Sequence, residues 1–321
     1  MIYLIDIFKG DKYMFYNAFI NIIILLIYIV IGYFSGLWKF INEEVNDGIS
    51  KLVLNITMPC MILSSFKAEN NVEGMYKNML ILLILYFIFK IMWFIISFSI
   101  FTRKRDQHFS TDRFSCLFPN AGYMGIPMTQ AIFGDQALIY TSIYVAFFNI
   151  FLNSLGVMMF KGNVNFKALI KAFINPAIIA ACLGLILFVM KVNLPMLLSK
   201  PITALGNMTT PLSFITLGYT LTRSSLKVVF KGKIQYFICA LKLLIIPFSA
   251  IFIFKPIMGS SLMLDTFILI ESMPIAALGL IFVNNFKPED SEYASKIIFL
   301  STVLSFITVP FVILVNSRVI K

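Results

Sequence analysis

Ten long apolar runs follow one another through the 321 residues of this chain, with only short clusters of charge, proline or glycine between them. They cover roughly 13–37, 46–66, 77–101, 112–133, 136–160, 168–190, 202–222, 233–255, 263–286 and 292–316. A helix needs about 20 apolar residues to cross a bilayer, and each run is near that length. Lipid leaves no partner for an open backbone, so spanning segments are helices or closed barrels. The period-2 alternation of barrel strands is missing from the runs. The sequence therefore predicts an all-α polytopic membrane protein with ten transmembrane helices.

Composition excludes the alternatives. The residues are 60% hydrophobic and 13% charged, whereas a soluble domain has about 45–50% apolar and 25% charged residues. A net charge of +11 would suggest nucleic acid in a soluble chain. Here the basic residues sit in loops between apolar runs, which suits anionic lipid headgroups and no nucleic acid. Loops after odd-numbered runs hold 15 Lys and Arg, the opposite side holds 9, and Lys90 and Lys242 lie inside runs. The richer side faces the cytoplasm, which predicts a multi-pass protein of the cell membrane with both termini outside. Cys60, Cys116, Cys182 and Cys239 lie within apolar runs and read as packing residues. His108 is the one histidine and sits in a basic loop, so neither a metal nor another cofactor is expected.

An internal repeat organises the chain. Asn55-Ile-Thr57-Met-Pro59 in the second run and Asn207-Met-Thr209-Thr-Pro211 in the seventh both read N-x-T-x-P, 152 residues apart, and Lys90 and Lys242 share that offset. Pro119 and Pro274 are separated by 155, with Gly125 and Gly279 following them, and Asn17-Ala and Asn175-Pro by 158. A unit of five spans is odd, so its second copy starts on the other side of the membrane and must be inverted. The expected division is 1–160 for the first repeat, a short cytoplasmic link at 161–167, and 168–321 for the second.

The fourth run is the least helix-like stretch: Phe118-Pro119-Asn120-Ala121-Gly122-Tyr123-Met124-Gly125-Ile126-Pro127. Proline removes a backbone donor and displaces the preceding turn, and glycine relaxes the chain. The ninth run carries Glu271-Ser272-Met273-Pro274 at mid-depth. Interruptions at matching positions of two repeats point to a substrate site built from half-helices. The free N–H groups at a half-helix start favour a carboxylate. The expected substrate-binding residues are Pro119, Asn120, Gly122, Ser272 and Pro274. For Asn55, Pro59, Asn207 and Pro211, site lining and simple kinking stay open.

At these residues the chain resembles the auxin efflux carrier family. The resemblance rests on Leu54–Phe66 with its mid-span Pro59, on Pro119–Pro127 followed by Phe133-Gly134, and on Thr210-Pro211-Leu212-Ser213 running into Leu217-Gly218. Met273-Pro274 adds to it. It implies two inverted five-helix repeats with crossed, broken fourth and ninth helices, similar to bile-acid symporter and sodium/proton antiporter folds. Family members carry organic anions: auxin in plant PIN proteins, and malate- or malonate-like dicarboxylates in many prokaryotic relatives. In the PIN proteins an asparagine beside the crossover proline touches the substrate carboxylate, and Asn120 matches that position. Ile275 follows Pro274 and supplies no second amide.

Charges within spans are costly and usually face the bundle interior. Lys90, Lys242 and Glu271 are therefore candidates for anion attraction and ion or proton coupling, or form a structural ion pair. Tyr140, Tyr144 and Asn149 are further candidates to line a cavity, whereas Asp112, Asp135 and Asp265 near span ends are expected to be solvated. The leading expectation is secondary active transport of a small organic anion by alternating access; the alternative is an anion channel or uniporter-like pore. An enzyme is not expected, since no nucleophile–base pair, H-E-x-x-H or nucleotide-binding loop is present. The coupling ion, H+ or Na+, stays open. Gly32 and Gly36 fit a G-x-x-x-G contact, either between two copies in a homodimer or within the monomer.

Overall fold

The computed structural model describes residues 20, 21, 23–66, 74–102, 107–162, 175–222 and 232–319. Among them every regular element is helical. In chain order we number α1 (Ile23–Leu37), α2 (Glu43–Ser65) and α3 (Met75–Ile100), then α4 (Phe109–Leu117) and α5 (Ile126–Phe133), the latter entered through a π-helical turn at Ala121–Gly125. There follow α6 (Asp135–Lys161), α7 (Pro176–Val189), α8 (Met196–Asn207), α9 (Thr209–Thr222), α10 (Lys233–Met258), α11 (Leu262–Glu271), α12 (Leu278–Phe286) and α13 (Ser291–Arg318). Among the described residues five helices are long and apolar enough to cross a membrane: α2, α3, α6, α10 and the Pro288–Arg318 segment that contains α13. Helices α1 and α7 are apolar but shorter.

Side chains cap three of the helix starts. Asn42 accepts from the Val45 N–H at 2.9 Å and starts α2. Asn175 accepts from the Ala177 N–H at 2.9 Å, with Pro176 in the first helical position, where its missing donor costs nothing. Ser261 caps α11 through the Leu264 N–H at 3.2 Å.

Prolines shape the helix interiors. Inside a helix a proline cannot donate to the carbonyl four residues back, and its ring collides with it. Three prolines are accommodated by a widened turn just before them. Val53–Thr57 precedes Pro59, Ala121–Gly125 precedes Pro127, and Leu241–Ile245 precedes Pro247. A fourth π turn, Leu152–Gly156 in α6, has no proline after it. The run expected at 202–222 begins earlier and is split. Helix α8 ends at Asn207, a turn at Met208 intervenes, and α9 continues. The proposed link, 161–167, lies outside the described residues except for Lys161 and Gly162.

Packing joins the two halves of the chain, and α6 touches α2 and α7 as well as α11. Helix α2 packs on α7, α8 and α9, while α11 packs on α3, α5, α6, α10 and α13. Helices α1 and α9 approach so closely that a Cβ on Gly32 would lie 2.0 Å from the Ile215 carbonyl oxygen, and one on Gly218 would lie 2.1 Å from that of Ile29. The small-residue face of α1 is thus used within the chain. A homodimer would need another surface.

At one end of the molecule, α4 is tied to the turn before α13. His108 Nδ1 lies 2.7 Å from an Asp290 carboxylate oxygen, and Thr111 donates to the other at 2.6 Å. The His108 ring stacks on Tyr293, centroids 3.9 Å apart. Asp112 differs from expectation. It is fully buried and accepts from the Tyr293 hydroxyl at 2.9 Å, because α4 starts beneath α13 rather than at the surface.

Candidate functional site

The Pro/Gly-rich stretch does interrupt its helix. Helix α4 stops at Leu117, residues 118–120 are non-helical with Phe118 extended, and the chain re-enters helix at Ala121. The ninth run is interrupted likewise, with α11 ending at Glu271 and α12 beginning at Leu278. The two breaks meet as one antiparallel bridge pairing Pro119 with Ile275. The Asn120 N–H donates to the Pro274 carbonyl at 2.7 Å, and the Ala276 N–H donates to that of Phe118 at 2.9 Å. The flanking residues make both bonds, so the proline needs no N–H. The Ile275 N–H turns away and donates to the Ser301 hydroxyl at 3.2 Å.

Asn120 is only 6% exposed. Its carbonyl accepts from the Met124 and Gly125 N–H groups at 3.3 and 2.9 Å. Its side-chain amide has no hydrogen-bond partner among the described residues. Beside it the Ala121 N–H donates to the Pro119 carbonyl at 2.7 Å, which leaves the Gly122 and Tyr123 N–H groups at the helix start without intrahelical acceptors. A buried amide and bare N–H groups together suit a carboxylate. A Cβ on Gly122 would lie 3.5 Å from the Met58 side chain of α2, and the Thr216 hydroxyl of α9 donates to the Tyr123 hydroxyl at 3.2 Å. Helix α2, which carries the first N-x-T-x-P segment, and α9, which begins within the second, therefore both lie against this break.

The expected residues divide into three sets. Pro119, Asn120, Ser272 and Pro274 are buried in the crossover, and Gly122 is half-buried at its edge. The Ser272 hydroxyl is already committed to the Leu269 carbonyl at 2.7 Å. Asn55 is exposed and donates to the Lys51 carbonyl of its own helix at 2.8 Å; Asn207 is exposed at the end of α8; Pro59 and Pro211 are half-buried. In those segments it is the threonines, Thr57 and Thr209, that are fully buried, with hydroxyls lacking partners among the described residues.

The three charges inside the spans form the third set, and they converge. Lys90 Nζ lies 2.8 Å from Glu271 Oε1 and 2.9 Å from Oε2. Lys242 Nζ lies 3.9 Å from Oε2. The Tyr144 hydroxyl donates to Oε1 at 2.6 Å. The lysine and glutamate side chains are 0–2% exposed. Each lysine also reaches a helix end: Lys90 donates to the Leu117 carbonyl at 2.9 Å, and Lys242 to the Glu271 carbonyl at 3.3 Å. Of the other candidates, Tyr140 accepts from the Asn78 amide at 3.4 Å, and Asn149 accepts from that of Asn175 at 3.2 Å. Sequence reasoning had no signal for the two helix-end carbonyls.

Among the described residues no group of three His, Cys, Asp or Glu side chains is placed to hold a metal ion. A recess of about 280 Å³ at the ends of α2 and α7, lined by Ser64, Phe66, Asn193, Ser199 and Thr203, shares no residue with the crossover.

The membrane transport protein family matches this chain twice, over residues 17–164 and 162–313. An uncharacterized transporter of Methanocaldococcus jannaschii is 25% identical over 300 residues, covering 90% of this chain and 95% of the relative. Another, of Methanothermobacter thermautotrophicus, is 24% identical over 297 residues with the same coverage. The uncharacterized transporter YfdV of Escherichia coli is 23% identical over 277 residues, 82% of this chain and 86% of its own. With both halves of the sequence matched, the chain belongs to the membrane transport protein family, that of the auxin efflux carriers.

Proposed function

We propose that this protein is a secondary active transporter that moves a small organic anion across the cell membrane by alternating access. Its substrate is a dicarboxylate such as malate or malonate, or an auxin-like monocarboxylate. The reading takes the chain as ten spans in two inverted five-helix repeats, 1–160 and 168–321 joined by the 161–167 link, with both termini outside. The observation that carries it is the unpartnered Asn120 amide, buried where two interrupted helices cross.

In this mechanism the substrate carboxylate takes the Asn120 amide and the N–H groups of Gly122 and Tyr123. Pro119 and Pro274 keep those groups free of helix hydrogen bonds, and Ser272 closes the opposite side. The buried cluster of two lysines, Lys90 and Lys242, around the single carboxylate of Glu271 adjoins the crossover, and its basic residues favour an anion beside it. It is also the place where a coupling proton would act. Asn55, Pro59, Asn207 and Pro211 belong to the surface against which the crossover moves. With Asn120 only 6% exposed, the site is occluded, and the helices packed around it must rock apart to admit a guest.

The test is uptake of labelled malate, malonate and indole acetate into proteoliposomes, wild type against Asn120→Ala. A charge-assisted hydrogen bond is worth about 1.5–3 kcal/mol. The variant should therefore lose about 10- to 100-fold in kcat/KM for the transported anion, with an unchanged melting temperature. Equal transport by both proteins would remove the assigned site.

A further inference from the structure

The two buried lysines do something at the crossover that substrate attraction does not require: each binds the last carbonyl of one half-helix. The final carbonyls of a helix have no intrahelical partner, and the helix dipole places about half a negative charge there. Where a membrane helix is broken at mid-depth, such ends are general sites for a mobile cation. Here the chain fills both. Lys90 of α3 closes α4 at Leu117, and Lys242 of α10 closes α11 at Glu271. The lysines are 152 residues apart in the sequence and the two carbonyls 154, so the same device occurs once in each repeat.

Lys90 is the more closely held of the two. It donates to Leu117 O and to Glu271 Oε2 at 2.9 Å each, and its Nζ lies in ion-pair contact with Oε1 at 2.8 Å. The Tyr86 and Tyr144 rings, 5.7 and 5.8 Å from Nζ, cover its remaining sides. Lys242 is fully buried, and its ammonium reaches both the backbone and the side chain of Glu271. Glu271 serves as the shared counter-ion of both cations. Among the described residues, the last carbonyl of each leading half-helix already accepts from a lysine ammonium.

We infer that Lys90 and Lys242 are tethered cations that permanently occupy the two half-helix carbonyl ends, so that the crossover is assembled without any alkali-metal ion. They are positioning residues: they hold the breaks in register and do not contact the guest. The inference deepens the proposed transport reading by removing sodium from the coupling ions. Its binding arm does not depend on which anion is carried.

Two measurements test it. In the first, the melting temperature of the purified full-length protein in detergent is titrated with sodium, with choline as the matched salt. The wild type should show no sodium-specific shift, and uptake of whichever labelled anion it carries should be equal under sodium and choline gradients. In the second, Lys90→Ala and Lys242→Ala are titrated with methylammonium and ethylammonium. Each variant should melt lower and transport at least about tenfold more slowly, and the small ammonium ions should restore both saturably. Met61→Ala, an apolar truncation in the core, should gain nothing from them. A saturable sodium stabilisation of the wild type, or folded lysine variants indifferent to alkylammonium, would overturn the inference. Should the alanine variants not fold, the wild-type sodium titration decides alone. If none of the anions is transported, the melting data still decide this point while the transport reading falls separately.

Discussion

The two interrupted helices solve one geometric problem with different parts. The first break is three residues long, 118–120, and its second half starts on a π turn containing Gly122 and Gly125. The second is six residues long, 272–277, and has no widened turn. Both share the bridge through Pro119 and Ile275, and both have a lysine on the carbonyl that ends the first half. The chemistry is not shared. The first carries the amide, Asn120, and ends its leading half in Leu117; the second has Ile275 beside its proline and ends in Glu271. What is duplicated is the frame. What is single is the group offered to the substrate and the carboxylate that balances the lysines.

The largest effect that would test this division is at Glu271. Without its charge two ammonium groups remain buried with no counter-ion, and breaking a buried ion pair costs about 3–5 kcal/mol. Glu271→Gln should therefore melt far lower than wild type or fail to accumulate. The comparison also predicts a partial cure. Lys242 lies 3.9 Å from the carboxylate and Lys90 2.8 Å, so Glu271→Gln with Lys242→Met should be more stable than Glu271→Gln alone. A double variant no better than the single would mean that the lysines are balanced by something other than Glu271.

Much of this frame was legible in the sequence because it is written in residues with one dominant physical effect. Prolines 119 and 274 at matching offsets located both breaks. Lys90, Lys242 and Glu271 stood out as charges inside apolar runs. The pairing of those charges was not legible, since it depends on how α3, α10 and α11 pack. The carbonyls of Leu117 and Glu271 were beyond reach for another reason: every residue has a carbonyl, and only the fold decides which one ends a helix. Asn55 and Asn207 drew attention by their repetition, yet they are exposed, and the fully buried member of each segment is a threonine. Asp112 misled in the opposite direction, because its place near a run end gave no sign of the α13 contact above it.

A smaller effect contrasts the glycines that follow the two prolines. A Cβ on Gly279 would lie 2.8 Å from the Phe114 ring, whereas one on Gly125 would meet nothing closer than 3.5 Å, the Asn120 carbonyl oxygen. The rings of Phe114 and Phe118 lie 4.8 Å apart and those of Phe114 and Phe282 5.4 Å, so Phe114 has little freedom to yield. Overpacking of this kind costs about 1–3 kcal/mol. Gly279→Ala should lower the melting temperature clearly, and Gly125→Ala should leave it within about 0.5 kcal/mol of wild type. The reverse ranking in a thermal unfolding assay would mean that the first break, not the second, is the more tightly packed.

The smallest predicted change asks whether the second break is held through its carboxylate at all. Tyr144 reaches Glu271 from α6, and its hydroxyl is 2.6 Å from Oε1. The Tyr144 ring packs edge-on against Tyr86, centroids 4.9 Å apart, and a phenylalanine would keep that contact. Tyr144→Phe therefore removes one hydrogen bond to a charged group and little else. Glu271 keeps its hydrogen bond and ion pair with Lys90, so the loss should be about 1–2 kcal/mol rather than the cost of leaving a buried charge unpaired. The informative measurement is a double-mutant cycle on the melting curves. If the hydroxyl acts on the carboxylate, Tyr144→Phe should cost clearly less in the Glu271→Gln background, because a neutral amide is a weaker acceptor than an ionised carboxylate. If the cost is the same in both backgrounds, the hydroxyl stabilises something else. The asymmetry between the breaks would then rest on the lysines alone.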